Sequence, residues 1–101
     1  MTITPAYLSP EAHARLSREF EIGALVTLTY EEGTGGPLRQ VLGYGLDHKR
    51  LADVRPGVYS IAPIRYVSGS KTGERMNDGS KVTLLAVPMA RVVSIQAVYG
   101  A

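Results

Sequence analysis

The sequence predicts a mainly β domain, a small antiparallel barrel of five strands preceded by one short α-helix. Three observations carry the prediction. From Ala24 onward apolar and polar residues alternate with a period of two. Turns rich in glycine, proline, asparagine and aspartate cut that alternation into short segments. A single four-residue apolar repeat stands ahead of it.

The helix comes first. Ser9 is a cap for the free amides of a first turn, Pro10 suits the first helical position, and Glu11 complements the helix dipole. Ala12, Leu16 and Phe20 then recur every four residues and define one narrow apolar face. The spacing predicts a helix over residues 9–21, with Gly23 just past its end. So short a helix is marginal alone and is expected to dock on the barrel.

The barrel is expected over residues 24–99. In the first strand Val26, Leu28 and Tyr30 alternate with Thr27, Thr29 and Glu31. Residues 33–37, Gly-Thr-Gly-Gly-Pro, make a turn, and residues 38–46 return as the second strand. Gly43 and Gly45 sit two apart on that strand, where they permit the sharp bend a small barrel needs. A polar loop over residues 47–57 leads to a third strand over residues 58–67, in which Pro63 marks an edge or a bulge. Residues 68–81 form a loop with a hairpin turn at Asn77-Asp78-Gly79. Val82–Val87 is the most apolar strand, Pro88-Met89-Ala90 a one-turn break, and residues 91–98 the last strand. Leu28 and Ile95 are expected core positions, and on the alternation Leu38, Leu42, Tyr44 and Ile64 face inward while Arg39 and Arg65 face out.

The length of 101 residues leaves room for a single domain and a single core. No cysteine is present, which removes disulfides and thiolate metal sites together and suits a reducing compartment. No signal-peptide pattern and no apolar run of membrane-spanning length is visible, so a cytoplasmic protein is expected, with no membrane partner. The net charge of +2 hides an asymmetry. Residues 1–37 hold two arginines against five glutamates, and residues 38–101 hold nine basic against four acidic residues, giving −3 and +5. A basic side for an anionic partner is one reading of that split; the other, which +5 over 64 residues favours slightly, is that lysine and arginine keep exposed edges and loops soluble.

A helix followed by five short strands, with a bent second strand and a tight turn before the fifth, is the layout of SH3-like and Sm-like barrels. Two stretches are similar to something narrower. Val26-Thr-Leu-Thr-Tyr30, a glycine turn, Leu38-Arg-Gln-Val41 and Gly45-Leu46 resemble the opening hairpin of WYL-type domains. The closing stretch, Leu85-Ala-Val-Pro-Met-Ala-Arg91-Val-Val-Ser-Ile95, resembles that family's last turn and strand. The naming Trp-Tyr-Leu run is absent, Gly57-Val-Tyr-Ser-Ile61 being its nearest counterpart. The resemblance implies an Sm-like barrel of the kind found in bacterial and phage regulators, which bind nucleic acid or small ligands.

Catalysis is not expected. His13 and His48 are too few for a zinc site without cysteine, and Asp47, His48 and Asp53 lie together in a polar loop with no nucleophile to complete an acid-base set. Gly69-Ser-Lys-Thr-Gly73 lacks the glycine spacing of a nucleotide-phosphate loop, and no helix follows it. No cofactor is expected. The functional candidates are the cations of the basic half, Arg39, Lys49, Arg50, Arg55, Arg65, Lys71, Arg75 and Lys81, interleaved with Tyr44, Tyr59 and Tyr66. Small barrels take single-stranded nucleic acid by stacking bases on exposed rings while cations track the phosphates. Tyr66, beside Arg65 and next to a loop, is the ring expected at the surface. The expected nucleic-acid site is therefore Arg39, Lys49, Arg50, Arg65, Tyr66, Lys71 and Arg75. The competing reading is a protein-interaction module that forms a homo-oligomer or takes a partner protein. Val82, Leu84, Leu85, Val87 and Met89 offer more apolar surface than one strand face can bury.

Overall fold

A computed structural model describes residues 7–79 and 81–98. The expected end of the barrel at residue 99 lies outside them. The chain runs through helix α1 (Pro10–Leu16) and strands β1 (Phe20–Glu31), β2 (Leu38–His48), β3 (Val58–Ser68), β4 (Leu85–Pro88) and β5 (Val92–Ala97). A 3-10 turn at Leu51–Asp53 precedes β3, and another at Met89–Arg91 joins β4 to β5. All five strands are antiparallel in one curled sheet of order β4-β3-β2-β1-β5. The expected mainly β fold with an N-terminal helix is what the chain adopts. The sheet stops at a half-barrel, because β4 and β5 end it without pairing to each other.

The Ser9 hydroxyl caps α1 by accepting from the Ala12 N–H at 3.1 Å, with Pro10 next to the cap as the sequence requires. The helix ends at Leu16, five residues short of the expected end. Phe20 belongs to β1, where it pairs with His48, and their ring centroids lie 4.8 Å apart. The four-residue spacing misleads here, since Leu16 from the helix and Phe20 from the strand bury into the same cluster. Pairing of residues 20–22 with β2 outweighs another turn of a marginal helix. Gly23 therefore lies within β1, at a register shift between Ile22 and Leu25, and does not end the helix.

Two apolar clusters occupy opposite sides of β1 and β2. Leu25 of β1 and Leu42, Tyr44 and Leu46 of β2 pack with Leu8, Leu16 and Phe20. Val26, Leu28 and Tyr30 of β1 pack with Val41, Ile61 and Val87. The alternation of side chains along a strand produces both faces from the same residues. Gly43 is required between them: a Cβ there would stand 2.9 Å from the Pro63 Cα and closer still to the Ala62 carbonyl. Pro63 sits opposite it at a bulge, and Ile64 is the extra residue.

That bulge changes the outward scheme. Arg65 pairs with Leu42 and Tyr66 with Val41, so Tyr66 shares the face of Arg39 and Arg65 takes the other. Two expected core positions are also corrected. Leu38 is exposed at the mouth of the β1–β2 turn, and Ile95, directly opposite fully buried Leu28, is 39% exposed because β5 ends the sheet and pairs only with β1 among the described residues. β4 begins at Leu85 instead of Val82. The Asn77 side chain bonds both the backbone of Thr83 and the Pro63 carbonyl of β3, so an amide joins residue 83 to β3 where the sequence predicts strand pairing. Asn77-Asp78-Gly79 is thus an anchored corner rather than a hairpin turn.

Candidate binding surfaces

The seven residues expected to form one nucleic-acid site fall into three groups. Arg39, Tyr66 and Lys71 meet at the rim of the β1–β2 hairpin. Arg39 Nε and Nη2 both reach Glu32 Oε2, at 2.8 and 2.7 Å, and Nη1 donates to Ser70 Oγ at 3.0 Å. Its guanidinium is thereby committed to clasping the 68–73 loop onto the hairpin. Lys71 Nζ stands 5.8 Å above the Tyr66 ring, a cation–π contact. Tyr66 is half-buried against the cluster of Leu28 and Val41 rather than standing free as expected. Burial, and then the neighbouring Tyr66, push the Tyr30 phenol up to about 12.

Arg65 and Arg75 form the second group, joined by a backbone bridge, with Arg75 Nε 3.8 Å from Asp78 Oδ2. Lys49 and Arg50 form the third, at the far end of β2 from Arg39. Nine residues of β2 lie between Arg39 and Lys49, and consecutive strand residues advance about 3.3 Å. Arg50 binds Asp53 in two places, Nε to Oδ2 at 2.8 Å and Nη2 to Oδ1 at 3.2 Å, which holds the Asp53 carboxyl below its ordinary range.

Around Lys49 the fold assembles what the sequence kept apart. The Lys49 N–H donates to the Glu19 carbonyl at 3.0 Å and its ammonium donates to the Ser17 carbonyl. These bonds draw the end of α1 against the end of β2. A cleft of about 460 Å³ opens there, bounded by Glu19, Phe20, His48, Arg50, Asp53, Arg55, Ser60, Leu84 and Ala86. A second depression of about 300 Å³ shares Glu19, Phe20 and Leu84 with it and adds Arg15, Leu16, Arg18 and Val82. The two adjoin along the shared residues as a groove, with Arg15 and Arg18 lining one part and Arg50 and Arg55 the other. Arg15 and Arg18 were hidden by the charge sum over residues 1–37. Their spacing of three, with Leu16 buried between them, is the signal that both border one apolar seam.

The sheet edges are the other candidate surface. Among the described residues no backbone group bonds the outer edge of β4 or of β5. Leu84, Met89, Val93 and Ile95 are the large apolar side chains exposed along them. Among the described residues no three histidine, aspartate or glutamate side chains gather to hold a metal ion, and no helix is long and apolar enough to cross a membrane. No family model, curated protein or solved structure matches the chain.

Proposed function

We propose that the chain is a non-enzymatic protein-interaction and assembly module that works through the uncovered edges of its half-barrel. The observation that carries this reading is β5. It ends the sheet, exposes Val93 and Ile95, and holds no charged residue from Val92 to Ala97. Natural edge strands are usually blunted by charge or by cover. Here Val93 is the extra residue of a bulge, which leaves Ser94–Ala97 as the regular stretch available to a partner. A second copy laid antiparallel across a twofold axis satisfies both edges at once, since a neutral strand opposes its own copy without repulsion.

Sedimentation and light scattering across a concentration series test this. A reversible dimer is expected, and Val93→Lys with Ile95→Lys is expected to give a folded monomer. A wild-type chain that stays monomeric at high concentration rejects the reading.

Nucleic-acid binding stands as the second reading, favoured by the Lys71 ammonium over the Tyr66 ring beside Arg39. Cation and ring there suit one stacked base and its phosphate. Three of the seven expected residues, Arg39, Arg50 and Arg75, already face carboxylates, and the rest are divided between ends and faces, which places this reading second. Titration with short single-stranded DNA and RNA at two salt concentrations tests it; no binding at low salt removes it.

A further inference from the structure

We infer that the groove between α1 and the Leu51–Asp53 turn is a docking site for an extended acidic peptide of a partner protein, laid along the free edge of β4. The inference rests on reading the chain as a protein-interaction module, and it names the chemistry of one partner.

Strand β4 supplies the geometry. Leu85 and Val87 turn into the cluster of Leu28 and Val41, whereas Leu84 and Ala86 line the groove. A strand added beside β4 would therefore point every second side chain over the groove. Leu84 is 45% exposed there, an apolar seat without a cover.

Charge supplies the selectivity. Arg15 and Arg18 line one part of the groove and Arg50 and Arg55 the other, with the carboxylates of Glu19 and Asp53 among them. Among the described residues Arg15, Arg18 and Arg55 make no ion pair, so after Arg50 is matched with Asp53 three cations stand against the single carboxylate of Glu19, and the lining keeps a positive excess for a ligand. Alternating acidic and apolar side chains answer that pattern.

Two other occupants fit less well. The Phe20 ring at the floor is buried and faces His48, so it offers a base no open stacking surface. The β5 strand of a second copy carries no acidic residue to meet the arginines.

Fluorescence anisotropy with a labelled peptide of alternating glutamate and valine tests the inference. The comparators are the same peptide with lysine for glutamate, and oligothymidylate of matched length. Saturable binding of the acidic peptide is expected, weakened by salt, with no binding of the lysine peptide. Arg18→Glu with Arg55→Glu should weaken it by about tenfold or more, and Leu84→Asp should act in the same direction. These positions are exposed, and circular dichroism will report whether each variant is folded. Equal binding of the lysine peptide, or equal binding by the variants, overturns the inference. Tighter binding of oligothymidylate also overturns it and gives the groove to nucleic acid. A chain that is monomeric yet binds the acidic peptide loses the β5 dimer and keeps the groove. One that dimerises and ignores the peptide loses the groove and keeps the dimer.

Discussion

Asn77 and Thr83 hydrogen-bond to each other in both directions: Asn77 Oδ1 accepts from the Thr83 N–H at 2.7 Å, and Asn77 Nδ2 donates to the Thr83 carbonyl at 2.9 Å. A side-chain amide thus stands where a neighbouring strand would stand. The same Nδ2 also donates to the Pro63 carbonyl at 2.6 Å, and the Asn77 carbonyl accepts from the Ser9 N–H at 3.0 Å. One buried residue ties three parts of the fold together: its main-chain carbonyl holds the helix cap, and its side-chain amide joins the bulge of β3 to the approach to β4.

Asn77→Ala should therefore cost about 3 kcal/mol, since it strands buried backbone groups that no longer find a partner. Asn77→Gly should cost nearly as much, although glycine accepts the backbone angle of φ 58° more readily. Urea denaturation measures both. A loss below about 1 kcal/mol for the alanine variant would show that water replaces the amide.

Leu28 and Ile95 face each other across β1 and β5 yet should respond differently. Leu28 is fully buried, and Leu28→Ala should cost about 2–5 kcal/mol. Ile95→Ala should cost under about 1 kcal/mol in the monomer, because its side chain is already partly in water. Equal losses in denaturant would mean that β5 is covered in solution.

Gly43→Ala should destabilise by about 1–3 kcal/mol or more, because the added methyl meets backbone of β3 that cannot step aside. Gly33→Ala, where nothing lies within 4 Å, should change stability by no more than about 0.5 kcal/mol. Thermal melts of the two variants side by side decide it.

Stability should fall as alkali is added. Tyr30 rises from an ordinary 10.0 to about 12 in the fold, chiefly through burial. Below pH 10 the phenol is protonated in both states. Between 10 and 12 the unfolded chain ionises it while the native chain does not, so the unfolded state gains. Burial raises Tyr44 and Tyr59 as well, and their contributions have the same sign. Tyr30→Phe should flatten the decline without removing it, as read from denaturation midpoints over that range. A decline of unchanged steepness would show that Tyr30 ionises as freely in the fold as outside it.

The strands were legible because alternation is a local signal: Val26, Leu28 and Tyr30 read inward from the sequence and are inward. What escaped depends on partners far along the chain. Phe20 kept helical spacing while pairing with His48, and no local pattern announces that competition. Pro63 was legible as an edge or a bulge, but which of the two it is, and its effect on Arg65 and Tyr66, required knowing where Leu42 falls opposite. The basic residues were legible as a set and not as a surface. Summing charge along the chain separated Arg18 from Arg50, which the Lys49 bonds to Ser17 and Glu19 bring to the same groove.

Those Lys49 bonds also make the groove a reporter of folding. Its banks come from segments about thirty residues apart, and unfolding separates them. Whatever occupies the groove binds the native chain and finds no equivalent site on the denatured one. Occupancy should then raise the melting temperature in proportion to the logarithm of ligand concentration, so heat can screen for a ligand before its identity is known.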